Sequence, residues 1–343
     1  MSIVTAVEAH LRVAETVQVS APARLHFGLI NTSGLGQRID GGAGVMLCTP
    51  SLIVEVEPAE RLDIAPAELR DEVLFCLHRA GLPQRPQLQV TIRNDIPAHS
   101  GLGWRTQLRL AIVTAVSIAL RRTLVGPEYG PLLGRAGTSA VGTWGFWQGG
   151  FILEGGHCRH DKSEFLPSSR VAKPTLAPLL YSGSFPWYVV CVLATGMSPI
   201  SGNVEEQLFR RNTPTSSGDA ASCYRVVYGE MLPAVVERDF LSFVEAVAVL
   251  QSLGFKRVER ELRGDQGYRV ERLLAQTGLR GVGLSSWGPA YFGFTESSET
   301  AREAVDILSQ DPLTQVCWST RSADAGATCL VNGVHSAVSA LLR

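Results

Sequence analysis

The stretch from Leu88 to about Arg121 constrains this chain more than any other. LQVTIRNDIP at 88–97 alternates apolar and polar residues, the period of a half-buried strand. HSGLG follows. From Trp104 to Arg121 the residues Leu108, Ala111, Ile112, Ala115, Ile118 and Ala119 then recur on one helical face. A strand that turns through glycines into a helix aims bare backbone N–H groups and the positive end of the helix dipole at the space beyond the loop. That arrangement binds anions. Gly101, Leu102 and Gly103 bring the backbone close. Ser100 and Thr106 add hydroxyls, Arg105 a fixed charge, and Trp104 and Gln107 complete the run. The loop is neither GxxxxGK[ST] nor GxGxxG. The plainer alternative is a tight turn capping an ordinary helix.

At roughly 150 residues per domain, a chain of 343 residues suggests two domains or one large α/β domain. It is 45% apolar and 18% charged, the composition of a folded chain. A net charge of −1 argues against a partner as acidic as duplex nucleic acid. The longest apolar run, AIVTAVSIAL at 111–120, falls short of the roughly 18 residues that a membrane helix needs. The N-terminus carries Glu8 and Glu15 and does not read as a signal peptide. A soluble, cytoplasmic protein without membrane or nucleic-acid partners is expected. Seven widely spaced cysteines with no CxxC read as free thiols. The cations are 28 Arg and only 3 Lys, which argues against catalysis by a lysine and suits recognition of phosphate and carboxylate. A GC-rich coding sequence would give the same bias.

Other strands are expected at 17–30, running into a turn, at 43–57 and at 187–194. Helices are expected at 71–82, 237–254, 267–278 and 299–310, with a further strand at 314–322. Strands and helices alternate in no strict βαβ order, so the class is α+β. The polar segment 195–222 reads as a loop or lid. Three more segments carry chemistry. In GQRIDGGAGVML at 36–47, Asp40 followed by Gly41 and Gly42 forms either a hairpin turn or a site in which Asp40 orients a hydroxyl or holds Mg²⁺. In GRAGTSAVGTWGFWQGGFILEGGH at 134–157, Arg135, Gly137, Thr138 and Ser139 suggest a second phosphate loop, and Trp144, Phe146 and Trp147 are either aromatic walls or core. In GVGLSSWGPAYFGF at 281–294, Ser285 and Ser286 offer donors and Trp287 a stacking face, unless the segment is only a β-turn. His26 and His99 lie beside these loops. His157 and His160 flank Cys158 without a third ligand at motif spacing, so no metal ligands are assigned.

PAHSGLG before a helix resembles the phosphate-loop motif of the GHMP kinase superfamily. APARLHFGLI, RIDGGAGVML, IPAHSGLGWRTQLRLA with GRAGTSAVGTWGFWQGGFILEGGH, and GLSSWGPAYFGF together resemble, in order and spacing from about residue 17 to 330, the β-ribofuranosylaminobenzene 5'-phosphate synthase family. The resemblance implies a GHMP kinase-like α+β fold of two subdomains, 1–185 with the phosphate loop and 186–343, each of mixed or antiparallel sheet with packed helices. It implies an enzyme that is not a kinase. Such an enzyme joins C1 of phosphoribosyl pyrophosphate (PRPP) to a ring carbon of a benzoate with Mg²⁺, losing CO₂ and pyrophosphate.

Applied residue by residue, the resemblance gives donor binding to Ser100–Gln107 and to Arg135, Gly137, Thr138 and Ser139. It gives catalytic roles to Asp40, Arg24 and His26, and substrate contacts to Arg38, Gly41, Gly42, Ser285, Ser286 and Trp287. The chain departs from the family pattern in those loops. Trp104-Arg105 stands where the family has Ser-Gly, one arginine of the next loop is lost while Trp144 is gained, and Leu284 precedes Ser285-Ser286-Trp287 where the family has Gln. These departures point to a different acceptor, a pyrazole dicarboxylic acid of the kind used for formycin- and pyrazofurin-type C-nucleosides. A 4-substituted benzoate of the methanopterin pathway is the alternative. A GHMP-type small-molecule kinase and a silent binding protein are the remaining rivals, and a homodimer is left open.

Overall fold

The computed structural model describes residues 16–342. The reading of the N-terminal stretch, with Glu8 and Glu15, lies outside the described residues. In chain order the first half holds β1 (Val17–Asn31), β2 (Arg38–Pro58), β3 (Asp63–Ala65), α1 (Arg70–Arg79), β4 (Leu88–Asn94), α2 (Trp104–Ala119), α3 (Tyr129–Leu132), α4 (Val141–Gln148), β5 (Phe151–Glu154), β6 (His157–Cys158) and β7 (Leu179–Gly183).

β1 and β2 pair antiparallel from Val17 opposite Val56 to Asn31 opposite Asp40. The expected strand running into a turn is observed: β1 ends at Asn31 and the chain bends through 32–37 before β2. There is no hairpin at Asp40–Gly41. Both residues have left-handed φ angles (62° and 77°) inside the extended β2. The effect is to re-aim that strand, so that 38–39 pairs with β6 and 42–45 with β5, while 52–58 pairs with β4.

The second half adds β8 (Tyr188–Ala194), α5 (Gly202–Asn212), α6 (Ser217–Val226), α7 (Leu232–Glu237), α8 (Phe240–Leu250), α9 (Gly254–Glu261), α10 (Gly264–Gln276), β9 (Arg280–Leu284), β10 (Ala290–Thr295), α11 (Ser298–Leu308) and β11 (Thr314–Thr320). Its sheet is antiparallel in the order β11-β8-β10-β9. The chain then returns. β12 (Thr328–Val331) pairs with the free edge of β1, and β13 (Val334–Ala337) pairs with β12, completing the first sheet.

The expected loop at 195–222 is corrected to two helices. Its polar composition belongs to helix exteriors: α5 turns Phe209 inward and leaves Val204, Gln207 and Arg210 in solvent. The Ser216 hydroxyl caps α6 by accepting the Asp219 N–H at 3.0 Å.

The core explains why the two sheets sit together. Phe27 of β1 meets Phe151 of β5, Phe243 of α8, and Phe292 and Phe294 of β10 at ring-centroid distances of 5.6–6.3 Å. β1 is therefore the wall shared by both halves, and residues along it can serve a site between them. α2 packs on β1 and β2. It is buried on nearly all sides rather than on one face, and Ile118, expected inside, is only half-buried.

Candidate active site

One cavity of about 570 Å³ opens where β1, the loop into α2, the loop before α4, the start of α5 and the β9–β10 turn converge. That volume suits a small-molecule ligand. The loop and the turn are sewn together. Gly101 has φ 90°, and a Cβ there would lie 2.2 Å from the Ser285 carbonyl oxygen, so only glycine allows the approach. The Ser285 hydroxyl donates to Gly101 O at 2.8 Å and accepts the His26 N–H at 3.0 Å. Arg24 N–H donates to Leu102 O at 2.9 Å, and Ala290 N–H to Ser100 O at 3.0 Å. Lys256 Nζ holds the turn from below by donating to Leu284 O at 3.0 Å and Ser286 O at 3.3 Å.

The first wall is cationic. α2 begins at Gly103, in left-handed conformation, with no side chain capping it, and its first turn faces the cavity. Arg24, Arg105 and Arg135 line the same wall, and Arg170 stands at the rim beside Glu206. Arg135 Nε donates to the Thr106 hydroxyl at 2.9 Å. Burial lowers Arg24 to about 10. Burial, with Arg109 and Arg105 nearby, lowers Arg135 to about 10. Burial, then Arg24 and Lys256, drives His26 well below the ordinary histidine value, so its ring is neutral. The buried Nε atoms of Arg24 and Arg105 and Nε2 of His26 have no hydrogen-bond partner among the described residues. Crowded cations and unspent donors are the chemistry of a polyanion site.

Another part of the lining is apolar. Leu29, Ile200, Phe209 and Trp287 form it, with Phe209 edge-on to Trp287 at 6.0 Å. Two carboxylates face this space. Glu259 is ion-paired with Lys256, and burial nonetheless raises it. Glu205, in the first turn of α5, lies beside the Trp287 side chain, and burial pushes it up to about 7.

Most of the residues expected from sequence line this cavity: Arg24 and His26 on β1, Ser100, Gly101 and Gly103 through Thr106, Arg135, Thr138 and Ser139, and Ser286 and Trp287. Others do not. Leu102 and Gln107 are buried behind the loop, where Gln107 Nε2 donates to Gly142 O at 2.8 Å. Gly137 packs against Val171. Ser285 supports the loop from behind. Gly41 lies in β2 against Glu154 and Gly156, whereas Gly42 makes room beneath His26 and Ser139. Arg38 is at the far edge, donating to Gly155 O and Gly156 O.

Asp40 is the main correction. It does not line the cavity, and its carboxylate takes hydrogen bonds from His157 Nδ1 at 2.9 Å and Lys162 Nζ at 2.7 Å. His157 Nε2 faces Ala136 O at 2.8 Å. Burial opposes the charged form of His157, but Asp40 and Glu154 outweigh it and raise the pKa. Asp40 therefore belongs to a buried structural ion cluster. Trp144, Phe146 and Trp147 form no wall of the site either: Phe146 and Trp147 are core, and Trp144 Nε1 donates to Ala177 O at 2.8 Å.

Sequence reasoning missed Glu205, Phe209, Glu259 and Arg170. All lie in amphipathic or polar stretches without a motif, and only the spacing of Glu205 and Phe209, one helical turn apart, hinted at a shared face. Among the described residues no group of three His, Cys, Asp or Glu gathers as a metal centre, and no helix is long and apolar enough to cross a membrane.

No protein-family model matches the chain. It is similar to β-ribofuranosylphenol 5'-phosphate synthase of Methanothermobacter thermautotrophicus, 33% identical over 291 residues that cover 81% of this chain and 88% of the relative. It is also similar to the Methanocaldococcus jannaschii protein of that name, 30% identical over 311 residues (85% and 93%). Among solved structures, a putative homoserine kinase from Listeria monocytogenes matches with a TM-score of 0.64 at 14% identity, over 92% of this chain and 99% of that one. The L. major mevalonate kinase crystallised with R-mevalonate gives 0.62 at 13% identity, over 91% and 98%. The expected α+β, GHMP kinase-like fold is thus the one observed.

Proposed function

The chain belongs to the β-ribofuranosylphenol 5'-phosphate synthase family, and on that premise we propose that it is a PRPP-dependent, decarboxylating C-ribosyltransferase. It joins C1 of ribose 5-phosphate to a ring carbon of an aromatic or heteroaromatic carboxylic acid and releases CO₂ and pyrophosphate. The observation that carries this reading is the division of one cavity into a cationic wall and an apolar recess.

The backbone of the 100–103 loop, the start of α2, and Arg24, Arg105 and Arg135 suit a diphosphate. They also suit the charge that builds on it as the C1–oxygen bond lengthens. The oxocarbenium-like C1 is then captured by the ring carbon that bears the carboxylate. Loss of CO₂ restores aromaticity. Holding both reactants in one closed space supplies much of the acceleration. Mg²⁺ is proposed to arrive on the donor's phosphate oxygens, as is usual for that ion. Asp40 does not fit as its ligand, since its carboxylate does not line the cavity and its Oδ2 is held by His157 and Lys162.

The favoured acceptor is a pyrazole dicarboxylic acid, supported by the departure from the family pattern at Trp104-Arg105, on a loop that lines the cavity. The alternative is a 4-substituted benzoate, supported by the phenol in the relatives' name. The test is pyrophosphate release from PRPP and Mg²⁺ with 4-aminopyrazole-3,5-dicarboxylate, 4-hydroxybenzoate or 4-aminobenzoate, followed by mass spectrometry. A product at the mass of ring plus ribose phosphate minus CO₂ supports the reaction, and the productive acceptor names the ring. Failure to bind PRPP overturns it.

A further inference from the structure

An aromatic carbon attacks C1 well only if electrons are pushed into the ring from a conjugated O–H or N–H, and that push is strongest when the proton leaves. The site therefore needs a base within reach of the acceptor ring. Five candidate bases lie in or near it. His99 is on the anion loop against the Trp104 ring, where burial and Arg105 disfavour its taking a proton. His26 is on the cationic wall between Arg24 and Lys256, where taking a proton would add a further cation. Glu259 is tied to Lys256. Glu154 is fully buried behind the cavity, with Oε2 accepting Gly156 N–H at 2.7 Å. Of the two carboxylates that line the cavity among the described residues, Glu205 is the one without a side-chain cation hydrogen-bonded to it. It projects from the first turn of α5 one turn before Phe209, so carboxylate and ring share a face, and the Trp287 side chain lies beside it.

Resting on the reaction proposed above, we propose that Glu205 is its general base, serving an acceptor ring seated against Leu29, Ile200, Phe209 and Trp287. Glu205 takes the proton of the conjugated O–H or N–H as the carboxylated ring carbon bonds to C1 and the C1–oxygen bond breaks toward pyrophosphate. The ring is then a neutral dienone or imine with its carboxylate on a saturated carbon. The bond to CO₂ breaks, its electron pair restores the aromatic ring, and the O or N takes the proton back from Glu205. No net proton is consumed and no redox partner is needed.

The groups facing Glu205 are Arg135 from the loop before α4, Arg105 from α2, Glu259 from α9 and the Trp287 side chain. Burial is the largest influence and raises Glu205 to about 7, near the value at which a base is ionised yet still basic.

Steady-state turnover of wild type, E205Q and F209A is measured with PRPP, Mg²⁺ and the three acceptors from about pH 5.5 to 9. For E205Q, kcat falls roughly 10²–10⁴-fold, donor KM stays within about threefold, and the acidic limb that wild type shows near pH 7 disappears. F209A raises acceptor KM and leaves donor KM alone. E205Q turning over within about threefold of wild type with the limb intact overturns the assignment, as does a loss confined to donor KM. A readout free of any folding defect uses wild type with 4-methoxybenzoate, which has no proton to give. It should bind in competition with the acceptor and yield no product, and turnover of it overturns the assignment. Failure of the reaction itself shows differently, as a wild type inactive with all three acceptors, and removes this assignment with it.

Discussion

The Ser285 hydroxyl donates to the carbonyl oxygen of Gly101 at 2.8 Å, across 184 residues of chain. It ties the turn between β9 and β10 to the anion loop, and it also accepts the His26 N–H of β1. One buried hydroxyl thus sets the relative position of three strands' worth of site. Ser285→Ala leaves the His26 amide unpaired in a buried place and should cost about 1–3 kcal/mol. The checks are thermal unfolding and donor affinity, and both should fall. Gly101→Ala should be worse for the donor, because its Cβ would strike the Ser285 carbonyl.

Arg105 lines the cavity at the start of α2, over the Trp104 ring at 5.6 Å. Arg105→Ala removes a charge-assisted contact worth about 1.5–3 kcal/mol, so donor affinity should fall roughly 10- to 150-fold. Titration calorimetry with PRPP and Mg²⁺ measures this directly. An unchanged affinity would remove Arg105 from the diphosphate site.

Burial holds Glu154 at about 7 against an ordinary 4.5, partly offset by the Gly156 N–H and His157. Between those values the folded chain keeps a proton that the unfolded chain has lost. This group therefore makes stability fall as pH rises through that window, at up to about 1.4 kcal/mol per pH unit. His157, also raised, stabilises most below the ordinary histidine value and loses that contribution as pH climbs through its folded-state value. Glu154→Gln should flatten the slope between about pH 4.5 and 7 in denaturant melts, leaving the loss at higher pH that belongs to His157.

Gly44 sits where β1 and β2 meet α4. A Cβ there would lie 2.2 Å from Leu25 O and 2.8 Å from Val141 Cγ1. Gly44→Ala must push apart a strand pair or lift α4. It should destabilise by about 1–3 kcal/mol with no direct effect on ligand contacts, read as a lower Tm with donor affinity retained in the folded fraction.

The parts of the site legible in the sequence are those whose backbone is special. Gly101 and Gly103 were visible because only glycine suits those angles, and a strand on one side and a periodic helix on the other framed them. Arg135, Ser286 and Trp287 were visible for similar reasons. Asp40 was misleading because an acidic residue followed by glycines reads as a loop, whereas the same left-handed pair here redirects a strand. Its partners His157 and Lys162 lie 117 and 122 residues away, beyond any local pattern. Glu205 and Phe209 carried only their one-turn spacing as a signal, and a carboxylate and an aromatic one turn apart occur on many helices. What gives them meaning is the packing of α5 against the β9–β10 turn.

The return of β12 to the edge of β1, with Val17 opposite Val331, has a consequence for synthesis. As the chain leaves the ribosome, β1 and β2 can pair early, but the outer edge of β1 waits for a partner encoded some three hundred residues later. Until then an unpaired edge is open to wrong neighbours. Native closure of the sheet is therefore a late event in translation. A chain cut short before residue 328 would keep every residue that lines the cavity and still lack the strand that seals its foundation.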